Sequence, residues 1–280
     1  MNPFPETPLV SVVTPSFNTG AFIDETLRSV EQQDYPRIEH IVLDSGSTDG
    51  TIEILARHPG VRLISPAPQG ISAKINLGFS QARGDIVCWL NADDYHLPGA
   101  IAKAVEALKR NPGAGMVYGN SMQVDENGVE IGRTRSKQAS LREMLRHNYV
   151  PVESAFVRRE VLEEVGSIET GYPLVQDWDW LIRICKQFPI VWVDDWWSAN
   201  RVQPKQRSQL YKADVWRQAR AMTHGHGGAF LPVFWSYWGP KFLRAGRMLL
   251  TGQFQRFRTK LRTHLESLDR REETRKGVEY

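Results

Sequence analysis

The chain has 280 residues, 41% apolar and 24% charged. That is ordinary globular usage, enough for one large domain or a domain with an appendage, and it excludes a disordered, collagenous or coiled-coil chain. No apolar run reaches the ~18–20 residues of a membrane span. The opening Met1-Asn2-Pro3-Phe4-Pro5-Glu6 lacks the basic and apolar segments of a secretory signal. The net charge of +3 is unevenly spread: residues 1–204 carry −7 and residues 205–280 carry +10. This divides the chain into a mildly acidic body, 1–204, and a basic appendage, 205–280, with nucleic acid and an anionic membrane surface as candidate partners. Cys88 and Cys185 lie in separate apolar stretches and read as buried free thiols in a reducing compartment.

The body alternates strand and helix patterns. Val10 to Thr14 is a β-rich run that Pro15 should stop, and Ile23, Leu27 and Val30 then recur at helical spacing. Ile41-Val42-Leu43 is a second strand ending at Asp44, followed by the turn-rich Ser45 to Gly50. A short helix with Ile52 and Leu55, a strand over Val61–Ile64, a helix with Ile71, Ile75 and Phe79, and a strand over Ile86–Leu90 follow. A helix with Ile101, Val105 and Leu108 and a strand at Met116-Val117-Tyr118 complete the alternation. Continuous apolar strands between helices predict an α/β fold, a mostly parallel sheet flanked by helices. Ligands of such sheets bind at the strand carboxyl ends, so Asp44 and Asn91-Ala92-Asp93-Asp94 should share one crevice. Further on, Asn127-Gly128 marks a hairpin and Leu141, Met144 and Leu145 a short helix. Ser154–Val157 reads as a strand, Glu160–Val165 as a helix ending at Gly166, and Trp178, Leu181, Ile182 and Cys185 as a helix starting near Asp177.

Several polar clusters could carry chemistry. The hard oxygens of Asn91, Asp93 and Asp94 suit Mg²⁺ or Mn²⁺ shared with substrate phosphates, though Asp at this point could equally cap the following helix. Asp44 could accept from a base N–H or a ribose hydroxyl, or could simply build a turn with Ser45 and Gly46. Asp177 could be a general base at a helix start or its cap. Trp178 and Trp180 are core or a sugar-stacking wall, the helical period favouring core for Trp178. His224-Gly225-His226 lacks a third metal ligand.

In combination these segments resemble the family 2 glycosyltransferases, whose nucleotide-sugar-binding fold is called GT-A. The resemblance runs through Val10-Ser11-Val12-Val13-Thr14-Pro15-Ser16-Phe17-Asn18, Ile41 to Thr51, Asn76-Leu77-Gly78, Gly84-Asp85-Ile86-Val87, Leu90 to Asp94 and Gln176 to Arg183. It covers roughly residues 8–204. It implies inverting transfer of a sugar from a nucleotide diphosphate, UDP by default, to a glycan or lipid-linked acceptor in surface-polysaccharide or glycolipid assembly. It implies that Thr14, Pro15, Ser16, Asn18, Asp44, Ser45, Asn76, Asn91 and Ala92 line the nucleotide site. By the same resemblance Asp93 holds Mn²⁺ or Mg²⁺ and Asp177 is the base, with Trp178, Arg183, Arg201 and Gln203 as candidates for the acceptor and diphosphate side. The chain departs from the family pattern at four places. Asn91 stands for an Asp, Gln176 for an acid, Gln203 for a His, and Ala73-Lys74 for Asp-Ala.

Residues 230–262 interleave aromatics such as Trp235, Trp238 and Phe242 with cations such as Lys241, Arg244 and Arg247. That pattern fits a helical segment on an anionic membrane surface, or one packed on the body with its cations solvated. No nucleic-acid motif accompanies the charge, so nucleic acid drops out of the expected partners. The expected location is cytoplasmic, with peripheral attachment through the tail. The competing functions are a sugar nucleotidyltransferase and a non-catalytic nucleotide or sugar binder on the same fold. A dehydrogenase would want Gly-x-Gly-x-x-Gly where the chain has Pro15-Ser16-Phe17-Asn18-Thr19-Gly20.

Overall fold

The computed structural model describes residues 3–203 and 206–229. The aromatic and basic stretch 230–262 lies outside the described residues. The described residues build a nine-stranded sheet in the order β3-β2-β1-β4-β8-β6-β9-β5, with β7 paired to β6. The strands are β1 Val10–Ser16, β2 Ile38–Asp44, β3 Val61–Ile64, β4 Ile86–Trp89, β5 Tyr95–His96, β6 Met116–Val124, β7 Glu130–Thr134, β8 Ala155–Arg158 and β9 Ile190–Arg201. β1 to β4 run parallel, as their unbroken apolar runs imply. β8 is antiparallel to both β4 and β6, and β6 is parallel to β9.

β1 does not stop at Pro15 but continues to Ser16, pairing with β2 throughout. The reason is the alternation of hydrogen-bonding sides. Leu90 N–H donates to the Val13 carbonyl on the β4 side, and Ser45 N–H donates to the Ser16 carbonyl on the β2 side. Pro15 therefore turns its nitrogen toward β4, whose pairing with β1 ends opposite Val13, so no ladder bond is lost.

Helices cover both faces: α1 Ile23–Glu31, α2 Thr51–Leu55, α3 Ile71–Gln81, α4 Ala100–Arg110, α5 Leu141–Met144, α6 Arg159–Val165, α7 Gln176–Gln187, α8 Arg207–Leu210 and α9 Lys212–Gly225. One core joins Val13, Leu43, Val87 and Val157 of the sheet to Ile75 of α3 and Trp180 and Leu181 of α7. A second joins Val10, Val12, Ile86 and Phe156 to Ile101, Val105 and Leu108 of α4, and a third gathers Ile23, Leu27, Val42 and Leu55. Alternate residues of one strand thus feed opposite cores, as the two-residue period of a strand requires.

α3 is rotated from its expected face. It buries Ser72, Lys74, Ile75 and Gly78, while Ile71 and Phe79 are only partly covered. The cause is Gly78: a Cβ there would press on Val13 Cγ1 and lie 2.8 Å from Leu43 Cδ1. Glycine lets the helix backbone approach the sheet, and that approach carries Lys74 inward. β9 carries no strand pattern legible in the sequence, because Asp194 and Asp195 interrupt its apolar run. Both leave the sheet as ion pairs, Asp195 with Lys103 at 2.7 Å and Asp194 with Arg135. His226 turns to Asp179, with Nε2 at 2.8 Å from Oδ1. Asp179 also takes the Arg183 Nε–H at 2.8 Å, so it faces away from the strand ends. Cys88 is buried and Cys185 half-buried, and both are free.

Candidate active site

The carboxyl ends of β1 and β4, the loops before α3 and α7, and the segment before α8 enclose an open cavity of about 740 Å³. Pro15, Asn18, Asn91, Ala92, Asp93, Asp177 and Gln203 all line it, although they come from distant parts of the chain. The shared crevice follows from topology, since β1 and β4 are neighbours and their ends must open side by side.

The loop after β4 is held by its own side chains. Asn91 Oδ1 accepts from Trp89 Nε1 at 2.8 Å, and Asn91 Nδ2 donates to Asp94 Oδ2 at 3.0 Å. Asp94 is buried at 1% exposure. Its Oδ1 accepts from the Arg201 N–H at 2.9 Å and from Asn200 Nδ2 at 3.1 Å. Burial, then the neighbouring Asp93 and Glu153, push its carboxyl well above the usual range. Asp94 thus anchors the loop, and Asp93 is the carboxylate left to face the cavity. Burial raises the Asp93 carboxyl too, with Arg201 and Gln203 pulling the other way. Gln203 Nε2 donates to Asp93 Oδ2 at 2.9 Å.

Asp177 sits in the first turn of α7, and its Oδ2 accepts from Asn148 Nδ2 at 3.1 Å. Burial raises its carboxyl, and backbone N–H groups and Asn148 offset part of that rise. A raised carboxyl is a stronger proton acceptor, which suits a general base. Glu153 lies on the same cavity wall, its Oε1 accepting from Ser121 Oγ at 2.7 Å. Burial raises it as well, and Asp177 and Asp93 add to the rise.

Other expected residues stand behind the wall. Asp44 has 0% exposure and is saturated. Its Oδ1 accepts the N–H groups of Gly46 (2.9 Å) and Ser47 (2.7 Å), and its Oδ2 accepts Ser16 Oγ (2.9 Å) and Ser47 Oγ (2.6 Å). In this geometry Asp44 shapes the β2 loop and presents no free oxygen to a base. Thr14 Oγ1 meets His40 Nε2 at 2.9 Å, and Ser45 Oγ donates to the Pro68 carbonyl at 2.8 Å. Asn76 exchanges both of its amide atoms with the backbone of Ile168, at 2.9 and 2.7 Å.

Of the acceptor and diphosphate candidates, Gln203 lines the cavity, and Trp178, Arg183 and Arg201 do not. Trp178 is a core residue whose Nε1 donates to the Met144 carbonyl at 2.6 Å. Arg183 spends its donors on Asp179 and on the carbonyls of Val165 (2.7 Å) and Ser167 (2.8 Å), away from the cavity. Arg201 is 2% exposed and braces the acidic loop from behind. Its guanidinium donates to the carbonyls of Asp93 (3.1 Å), Asp125 (3.0 Å) and Glu126 (3.2 Å) and pairs with Glu25. Among the described residues the cations that line the cavity are instead Lys74 and Arg207. Lys74 Nζ donates to the Ser16 carbonyl at 2.9 Å and sits 5.9 Å from the Phe17 ring centre. A lysine inside an otherwise apolar helical face was its signal in the sequence. Asn148, Glu153 and Arg207 had none.

Among the described residues no group of three or more His, Cys, Asp or Glu side chains could hold a metal ion. The residues nevertheless fit a Mg²⁺ or Mn²⁺ ion shared with a diphosphate. Such ions take one or two protein carboxylates and complete their shell with phosphate oxygens and water. Asp93 supplies that carboxylate, and Gln203 adjoins it with its Nε2 on Oδ2.

A sequence model described as Glycosyl transferase family 2 matches residues 11–166, short of Asp177 and Gln203. An uncharacterized glycosyltransferase of Haemophilus influenzae is 30% identical over 162 residues, 56% of this chain and 64% of that protein. The chain thus spans less than two thirds of that relative. Staphylococcus aureus TarS 1–349 in complex with UDP-GlcNAc superposes with a TM-score of 0.61 at 19% identity, over 76% of this chain and 65% of that one. The mannosyltransferase PcManGT of Pyrobaculum calidifontis, in complex with GDP-Man and Mn²⁺, gives 0.59 at 24% identity, over 83% and 69%. These two likenesses show that the fold is GT-A.

Proposed function

Because the chain belongs to the family 2 glycosyltransferases, we propose that it moves a sugar from a nucleotide-diphosphate donor to an acceptor hydroxyl with inversion at the anomeric carbon. The observation that carries this reading is the convergence of Asp93 and Asp177, from separate elements, on one cavity. Asp93, with Gln203 beside it, would hold the divalent ion, which when bound would neutralise charge developing on the leaving diphosphate. Lys74 and Arg207 supply further positive charge to the donor. Pro15, Asn18, Asn91 and Ala92 provide walls that a nucleotide can pack against. Asp177 takes the proton of the acceptor hydroxyl as it attacks from the face opposite the diphosphate.

UDP is the proposed nucleotide, supported by the UDP-GlcNAc seen on a neighbour of the same fold. The proposed acceptor is a glycan or lipid-linked glycan of the cell surface. No helix among the described residues is long and apolar enough to cross a membrane. We place the enzyme in the cytoplasm, meeting lipid-linked acceptors at the inner membrane face through its basic tail.

Calorimetry with UDP, GDP, CDP and ADP, with and without Mn²⁺, tests the donor site. One nucleotide should bind in a Mn²⁺-dependent way, and Asp93→Ala should abolish that dependence. Asp177→Asn should bind the same nucleotide unchanged and lose turnover of its sugar conjugates, including slow hydrolysis with water as acceptor. A folded protein that binds none of the four nucleotides would overturn the transferase reading in favour of a non-catalytic role.

A further inference from the structure

Asp177 receives one side-chain hydrogen bond among the described residues, from Asn148, and the direction of that bond is set by the backbone. The Val150 N–H donates to Asn148 Oδ1 at 3.3 Å, so the amide must turn its Nδ2 toward Asp177. The segment that carries Asn148 is pinned on both sides. Before it, the Met144 carbonyl accepts from Trp178 Nε1 at 2.6 Å, which ties the segment to the same first turn of α7. After it, the Tyr149 carbonyl accepts from Ser136 Oγ at 2.9 Å, and Val150 is buried at 3% exposure. Asn148 is therefore a fixed donor. It holds Oδ2 of Asp177, beside the backbone N–H groups of the first turn of α7 that also stabilise the carboxylate.

We propose that Asn148 is the positioning residue of the reaction: by holding Oδ2 it orients the Asp177 carboxylate toward the acceptor hydroxyl. This deepens the reading of Asp177 as base and rests on it. Without Asn148 the carboxylate keeps only its backbone contacts, and its terminal torsion, which has only broad preferences of its own, is less tightly set. The other titratable or charged groups around Asp177 act differently. Glu153, on the 3₁₀ turn Val152–Ser154, has its own carboxyl raised by burial and by the Asp177 charge. Asp93, Lys74, Arg207 and Tyr149 line the same cavity without a hydrogen bond to it, and His147 adjoins Asn148 in sequence. None of them replaces a neutral donor aimed at one oxygen.

The test uses the full-length chain with its aspartate carboxyl carbons labelled with ¹³C, the Asp177 resonance being assigned by its loss in Asp177→Asn. Carboxyl titrations are compared in wild type, Asn148→Leu and Asn148→Asp, with thermal unfolding confirming that each variant is folded. A hydrogen bond to a charged group favours the ionised form, so removing it raises the midpoint. Asn148→Leu should shift the Asp177 midpoint upward by about one pH unit. Asn148→Asp, which puts a like charge in the donor's place, should shift it further. With a UDP-sugar as substrate and water as acceptor, the acid limb of kcat should move in the same order while KM for the donor stays level. An unchanged midpoint in both variants would overturn the proposal, as would an unchanged acid limb beside a shifted midpoint. Full donor turnover by Asp177→Asn would instead refute the underlying base assignment, so the two failures are distinguishable.

Discussion

Replacing Arg201 by Met should cost about 3 kcal/mol of stability, through the carbonyls it leaves behind more than through its ion pair. Methionine retains much of the apolar stem but none of the five guanidinium donors. The Asp93 carbonyl then sits in the wall of the acidic loop without a partner, at a cost of roughly 1–3 kcal/mol. The Asp125 and Glu126 carbonyls belong to the exposed β6–β7 turn and recover part of their loss from water. Glu25 is 50% exposed, so its pairing contributes ~1 kcal/mol or less after solvent screening. The cation stacked 4.9 Å from the Phe22 ring centre is lost as well. For a body of this size, a loss of about 3 kcal/mol lowers Tm by roughly 6–12 °C. Urea and thermal unfolding of wild type, Arg201→Met and Glu25→Gln measure the two contributions separately. If Arg201→Met costs under 1 kcal/mol, or no more than Glu25→Gln, the account of a carbonyl-bracing guanidinium is wrong. Because the same guanidinium holds the backbone of Asp93, the Met variant should also lose part of the gain in nucleotide affinity that Mn²⁺ gives wild type.

Gly78→Ala should destabilise by about 1–3 kcal/mol, because its Cβ enters space held by Val13 and Leu43; denaturant midpoints check this, and an unchanged midpoint would show that α3 can shift freely. Lys74→Met should weaken UDP binding at least ~10-fold if its ammonium serves the donor, a factor worth about 1.4 kcal/mol, and calorimetry reads it directly. His40 is buried and its pKa is held down to about 3, so the folded state stays neutral at pH values where the unfolded chain binds a proton. Its contribution to stability is present above about pH 6.5 and is lost as pH falls toward 3. Between pH 8 and pH 5 that loss is about 2 kcal/mol. His40→Gln should flatten the pH dependence of stability by that amount, and an identical pH profile in unfolding experiments would contradict it.

The local chain dictated much of this protein. Ile23, Leu27 and Val30 predicted the buried face of α1, and the apolar runs predicted the parallel strands. The position of Asp93 just past β4 placed it at the mouth of the sheet. These features depend on periodicity and on strand ends, which a sequence displays residue by residue. Side-chain direction depends on partners far away in the chain. Arg183 and Arg201 carry the charge a diphosphate wants, yet both are drawn inward by carbonyls whose positions only the folded chain defines. Asp44 is closed off by the loop it organises. Lys74 enters the cavity because Gly78 lets α3 settle on the sheet. Asn148 meets Asp177 only because Trp178 and Met144 bring their segments together. Periodicity is a property of neighbours in sequence, whereas the site is made by competition among groups distant in sequence for the same buried hydrogen bonds, and only the tertiary structure decides that competition.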